Sequence, residues 1–260
     1  MKAGLQNRKG LKIVVEVEVA PVSKGAAFVM HGLGGFKEQP HIRAMAEAFK
    51  EKGLSVITFD TTNSIGESDG KYEDGTTTSY YEDLEDVIAW SSRQEWYKEP
   101  FYLAGHSTGA ICAALFAEKH PEKVKGLAPI SAVVSGKLSM ESRKERGVLD
   151  EWKRTGWKIA ESQSRPGLIK KLPWSEMEDR MKYDLLTEAK KLKMPVLLIV
   201  GENDDSTPPE QQEILFEALT GPKELHIIED APHTFREPPH LTEVKDIFLN
   251  WIDKVENKKI

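Results

Sequence analysis

A single cysteine, Cys112, stands in the 260 residues. No disulfide can therefore close within the chain, and no multi-cysteine metal site can be built. There is no excess of positive charge: 36 Lys and Arg stand against 42 Asp and Glu, for a formal net charge of -6. Such a balance argues against general nucleic-acid binding, which needs a cationic surface to displace counterions. No apolar run approaches the roughly 20 residues of a membrane-spanning helix. The segment Met1 to Gly10 lacks the apolar core of a secretory signal. Internal repeats and low-complexity linkers are missing too. The apolar content is not low: 39% of residues are hydrophobic and 8% aromatic, which excludes disorder as the main state. The expectation is a soluble, cytoplasmic protein with one large core, without a membrane span or a nucleic-acid partner.

Strand-like and helix-like stretches alternate. Ala26–Met30 is apolar throughout, like a strand buried on both faces, whereas Leu11–Val19 alternates with charge and predicts a strand near a sheet edge. Further strands are predicted at Leu54–Phe59, Phe101–Ala104, Val124–Ile130, Pro195–Val200 and Glu224–Ile228. Helices are predicted at Ile42–Lys52, Tyr81–Trp96, Ala110–Lys119, Pro209–Leu219 and Leu241–Val255. This alternation implies an α/β fold with a mainly parallel central sheet covered by helices on both faces. Residues 135–190 break the rhythm: they are rich in charge, show no convincing strand, and hold Trp152, Trp157 and Trp174, three of the six tryptophans. They read as a small helical cap inserted into a core of residues 1–134 and 191–260.

The pattern G-x-S-x-G occurs twice, as Gly66-Glu67-Ser68-Asp69-Gly70 and as Gly105-His106-Ser107-Thr108-Gly109. Only the second joins an apolar strand directly to a helical run, the context in which a serine is exposed at the tip of a sharp turn. Ser68 lies in a polar, loop-like stretch and reads as a surface residue. A serine hydroxyl is a poor nucleophile at neutral pH, and it needs a base held by an acid. Both follow late strands. Glu202, Asp204 and Asp205 come after Val200, and His233 comes after Ile228, in the loop Ala231-Pro232-His233-Thr234-Phe235. An oxyanion hole would take one backbone N–H from Thr108, after the nucleophile, and one from the loop His31-Gly32-Leu33-Gly34-Gly35, where Leu33 is the candidate. That loop lacks the G-x-x-x-x-G-K spacing of a phosphate-binding loop. The chemistry needs no cofactor and no metal.

These four motifs, in this order, resemble the α/β-hydrolase superfamily, and in particular its branch of serine esterases, monoacylglycerol lipases and serine aminopeptidase-like hydrolases. The resemblance runs from about residue 11 to residue 255. It implies Leu33 and Thr108 as oxyanion donors and selects Asp204, the third residue after Gly201, as the acid serving His233. The chain departs from it in Asn63-Ser64-Ile65-Gly66-Glu67-Ser68, which lacks the first glycine of a common G-x-G-x-S loop, and in Thr108, where cinnamoyl and feruloyl esterases commonly carry Gln. The function so implied is hydrolysis of a small-molecule carboxylic ester through an acyl-enzyme on Ser107. A peptidase or an acyltransferase would use the same groups. A short cap implies short to medium acyl chains, with Trp152, Trp157 and Trp174 as candidate walls of the substrate pocket. Oligomeric state is not encoded in these patterns.

Overall fold

The computed structural model describes residues 1–257. In chain order the main elements are β1 (Lys2–Gln6), β2 (Lys12–Glu18), β3 (Ala26–Met30), α1 (Pro40–Glu51), β4 (Ser55–Asp60), α2 (Thr77–Ser91), β5 (Phe101–His106), α3 (Thr108–Lys119) and β6 (Val124–Ile130). The cap follows with α4 (Gly136–Glu145), α5 (Leu149–Thr155), β7 (Trp157–Glu161), β8 (Ile169–Pro173) and α6 (Trp174–Arg180). The chain then returns to the sheet with β9 (Val196–Asn203), α7 (Pro209–Ala218), β10 (Lys223–Pro232) and α8 (Pro238–Glu256).

Eight strands form one sheet in the order β1-β2-β4-β3-β5-β6-β9-β10. The pairs β1/β2 and β2/β4 are antiparallel and the rest are parallel. The central strands are buried on both faces, as their unbroken apolar runs require. α1 and α8 cover one face around Phe49, Phe248 and Trp251, while α2, α3 and α7 cover the other around Leu84, Ile111 and Leu215. Among the described residues no helix is long and apolar enough to cross a membrane.

The chain runs from β3 to β4 on one side, then returns to place β5 on the other. A crevice opens where the strand order reverses, at the carboxyl ends of β3 and β5. The Gly32–Gly35 loop leaves β3 there, and the turn at Ser107 leaves β5. At the far side β10 runs parallel to β9. An irregularity between Ile228 and Pro232 sets Pro232 opposite Asn203, so the next residues, Asp204 and His233, emerge side by side.

One strand adds to the predicted elements, and one expectation is corrected. β1, with Leu5 as its one buried apolar side chain, gives too little pattern to be predicted; it forms the edge and leaves β2 second. The cap is not wholly helical, since β7 and β8 form an antiparallel hairpin within it. Pro166 and Gly167 make the turn: Gly167 has φ +86°, and the Leu168 N–H donates to the Arg165 carbonyl at 3.1 Å. Proline followed by a residue at positive φ is the signature of a type II turn, and it overrides the helical reading of the charged residues around it.

Candidate active site

Ser107 occupies the junction of β5 and α3 with φ +57° and ψ -117°, a conformation that costs a non-glycine residue strain. The turn is tight enough to exclude side chains on both flanks. A Cβ on Gly105 would lie 2.4 Å from the Gly109 carbonyl oxygen, and one on Gly109 would lie 2.4 Å from the His31 carbonyl oxygen. The spacing of the motif thus follows from contact with the backbone of its neighbours.

His233 Nε2 lies 3.1 Å from Ser107 Oγ, and His233 Nδ1 lies 2.8 Å from Asp204 Oδ2. Of the three candidate acids beyond Val200, Asp204 is the one bonded to His233. Glu202 turns to the Asp230 N–H at 3.0 Å, and the exposed Asp205 pairs with Arg146 at 3.1 Å. Asp204 is 2% exposed, and burial alone would raise its pKa. The neighbouring imidazole and hydrogen bonds from Thr207 outweigh burial and hold it down at about 2, so it is a carboxylate at neutral pH. Its Oδ1 accepts from the Ser206 and Thr207 N–H groups, each at 2.9 Å.

Three supporting residues were not singled out by sequence. The Thr207 hydroxyl lies 2.9 Å from Asp204 Oδ2, 3.0 Å from the Ser131 carbonyl oxygen and 3.2 Å from His233 Nδ1, so it ties acid and imidazole to the end of β6. His106 Nε2 donates to the His233 carbonyl at 2.8 Å, with its ring 4.8 Å from that of His233. Burial and the facing His233 push the His106 pKa down to about 3, which keeps it neutral. His31 Nε2 accepts the Thr61 N–H at 3.1 Å, so its Nδ1 carries the proton and donates to the Gly32 carbonyl at 2.8 Å, fixing the loop after β3. Proximity of His31 and His106 to the motif glycines was the available signal; Thr207 carried none.

Leu33 lies in the Gly32–Gly35 loop facing Ser107 across the crevice, and Thr108 is the first residue of α3. Neither backbone N–H has a hydrogen-bond partner among the described residues. Ser68 is elsewhere: its hydroxyl donates to the Asp60 carbonyl at 2.6 Å and accepts the Val14 N–H at 2.8 Å, a structural bridge between β2 and β4.

A cavity of about 290 Å³ opens over Ser107 and His233. The expected tryptophan walls are corrected, because none of the three lines it. Trp152 is 1% exposed, donates Nε1–H to the Leu172 carbonyl at 3.0 Å, and meets Trp174 edge to face at 5.5 Å. With Leu172 and Met177 they form a small cluster under the cap that also packs against Leu33 and Tyr72 of the main body. Trp157 points to solvent at 44% exposure. A short insertion has few apolar groups and uses the largest to hold itself together.

A mainly parallel sheet covered on both faces, with a serine on the sharp turn between a central strand and its helix, defines an α/β hydrolase. The chain belongs to the family described as "Serine aminopeptidase, S33", whose model matches residues 21–165. A second model, "PhoPQ-activated pathogenicity-related protein", matches residues 163–259. Among curated proteins the chain is similar to an uncharacterized 31.7 kDa protein of the traX-finO intergenic region of Escherichia coli, at 25% identity over 95% of this chain and 96% of that one. It is also similar to the thermostable monoacylglycerol lipase of Bacillus sp. (strain H-257), at 23% identity over 76% and 80%. Among solved structures, Est1E from Butyrivibrio proteoclasticus with ferulic acid bound superposes with a TM-score of 0.81 at 20% identity, covering 98% of this chain and 99% of that one. Mouse alpha/beta hydrolase domain-containing protein 10 gives 0.80 at 18% identity, with the same coverage.

Proposed function

We propose that this protein hydrolyses small carboxylic esters through an acyl-enzyme on Ser107. The observation that carries this reading is the unbroken hydrogen-bonded series from Ser107 through His233 to Asp204 at the floor of an open cavity. Ser107 Oγ attacks the acyl carbon while His233 Nε2 takes its proton. The negative charge that develops on the carbonyl oxygen is met by the Leu33 and Thr108 N–H groups. The C–O bond to the alcohol breaks, and His233 returns the proton to the departing oxygen. Water then adds to the acyl carbon with His233 again as base, which frees the acid and restores Ser107. Asp204 holds the imidazole with its proton on Nδ1 throughout, and Thr207 and His106 are positioning residues.

The cavity volume is near the lower end of the ~300–1,000 Å³ of small-molecule sites, which supports short to medium acyl chains over long ones. The similarity to a protein named as a monoacylglycerol lipase supports the ester class. A second reading, an aminopeptidase, is suggested by the family description. It would need an anionic anchor for the substrate ammonium group, whereas among the described residues the cavity wall carries Arg146, Lys158, Lys170 and Arg236 against Glu161. The test is a series of p-nitrophenyl esters of increasing acyl length beside aminoacyl arylamides, with fluorophosphonate labelling of the same samples. Ester turnover and labelling at Ser107, both lost in Ser107→Ala, are expected. Turnover of arylamides alone would overturn the ester assignment, and labelling elsewhere would overturn the nucleophile.

A further inference from the structure

The cavity over Ser107 is cationic in a chain whose net charge is -6. Glu161 is the one acidic side chain among its described lining residues, and that carboxylate accepts the Gly167 N–H at 2.6 Å. Arg146 is paired with Asp205 at 3.1 Å. Among the described residues no ion pair holds the other three, and the nearest carboxylate to act on Lys158, Glu176, is outweighed by Arg143, Arg146 and Arg180 around it. Lys158 Nζ stands 5.9 Å from the centre of the Trp152 ring, and Lys170 Nζ stands 5.4 Å from that of Tyr72. Arg236 donates to the neutral Gln163 Oε1 at 3.1 Å.

The hairpin that supplies both lysines is patterned inside out. Its register sets Lys158 opposite Leu172 and Ala160 opposite Lys170, so these four share one face, and all four line the cavity. The other face presents Trp157, Ile159 and Ile169 to solvent, at 44%, 63% and 54% exposure. A hairpin lying on a protein ordinarily turns its apolar face inward, and a slip of one residue would restore that arrangement. Instead the register is held by the turn at Pro166-Gly167, by the Trp152 Nε1–H bond to Leu172, and by the Trp174 N–H on the Gly156 carbonyl at 2.8 Å.

Half-burying ammonium groups without carboxylates is unfavourable. Burial, reinforced by Arg143 and Arg146, pushes Lys158 down to about 8; burial also lowers Lys170 and Arg236. A bound anion offsets that penalty. The cations also line the same cavity as Ser107 and His233. Lys170 Cδ lies 3.4 Å from where a Cβ on Gly34 would stand, beside the loop that carries Leu33, and Arg236 follows His233 by three residues.

We infer, on the ester-hydrolase reading above, that the substrate is a small ester bearing an anionic group, carboxylate or phosphate, which Lys158, Lys170 and Arg236 bind while the ester carbonyl sits at Ser107.

The test compares three methyl esters of matched length: methyl hexanoate, monomethyl adipate and methyl 5-phosphonooxypentanoate. Binding to Ser107→Ala is measured by calorimetry at low salt, and kcat/KM is measured on the parent enzyme. At least one anionic ester should bind about tenfold or more tightly than the neutral one, with the advantage shrinking as salt is added. The stronger of the two identifies carboxylate or phosphate as the recognised group. Lys158→Met, Lys170→Met and Arg236→Met, each in the Ser107→Ala background, should lower the anionic-to-neutral affinity ratio roughly five- to tenfold, the scale of a half-buried ion pair. Equal or tighter binding of methyl hexanoate, or a ratio unmoved in all three variants, would overturn the inference and leave the hydrolase reading intact. An anionic preference without turnover of any ester by the parent would keep the anion site and overturn the hydrolase reading.

Discussion

Replacing Asp204 by Asn isolates what the buried acid does. The Asn side chain has one sensible orientation. Its oxygen must stay at the Oδ1 position, because both the Ser206 and Thr207 N–H groups point there at 2.9 Å. Turning the amide over would set donor against donor twice and leave those N–H groups unsatisfied. The NH2 group therefore takes the Oδ2 position, 2.8 Å from His233 Nδ1, and donates to it. Oδ1 also stands 3.0 Å from Nδ1, but the NH2 group is the nearer, and its donation places the imidazole proton on Nε2, which faces Ser107 Oγ at 3.1 Å and can then no longer accept the serine proton. The base is lost while the backbone stays in place. The expected fall in kcat on a short p-nitrophenyl ester is ~10⁴-fold, equivalent to about 5 kcal/mol of barrier. A second readout follows from the low carboxylate pKa. A folded-state value of about 2, below the unfolded 3.8, contributes stability above pH ~4 that is lost as pH falls toward 2. Asp204→Asn should remove that acid-side loss, on the order of 2 kcal/mol. Asp205→Asn and Glu202→Gln serve as comparisons and should change kcat by less than about fivefold, since neither touches His233. The reasoning fails if Asp204→Asn keeps kcat within tenfold of the parent, or if Asp205→Asn is the more damaged of the two.

Four further outcomes are expected. Ser68→Ala should leave fluorophosphonate labelling intact and cost about 1–3 kcal/mol in urea unfolding, because the Asp60 carbonyl and the Val14 N–H both lose their partner. Gly105→Ala should destabilise by about 1–3 kcal/mol or more and abolish activity, since its methyl would meet the Gly109 carbonyl at 2.4 Å; wild-type kinetics in this variant would show that the turn is looser than described. Glu118 on α3 is buried with Oε1 unpartnered, and burial, aided by the nearby Glu188, raises its pKa to about 8. The folded state therefore holds a proton that the unfolded state has lost between pH ~4.5 and about 8, stability falls as pH rises through that window, and Glu118→Gln should be the more stable by on the order of 4 kcal/mol at pH 8 with no gain near pH 4. Trp152→Ala should cost about 3–5 kcal/mol through the cluster under the cap, whereas Trp157→Ala, on the exposed hairpin face, should cost under about 0.5 kcal/mol; similar losses in melting experiments would refute the division between them.

Sequence by itself marked most strands and helices of the sheet layers and the candidate nucleophile. Both rest on local chemistry: unbroken apolar runs mark buried strands, and only a glycine-flanked serine between such a run and a helix can make the turn at Ser107. His233 was legible for a related reason, since a histidine just after a late strand must surface at the same edge of a parallel sheet. The choice of Asp204 over Glu202 and Asp205 needed either the family resemblance or the structure. The structural selection depends on the β9–β10 register, which sets Asn203 opposite Pro232 and so brings the next residue of each strand together. The contacts of Thr207 with Ser131, of His106 with His233 and of Ser68 with Asp60 join residues 8 to 127 positions apart, which no local pattern encodes. The cap shows the limit most plainly. Its tryptophans look like candidate pocket walls in sequence, and nothing in its charged pattern singles out Lys158 or Lys170. Hairpin parity decides for Trp157 and the lysines, since one residue of register sets which side of β7 and β8 faces Ser107, whereas Trp152 and Trp174 lie on α5 and α6 and pack against each other.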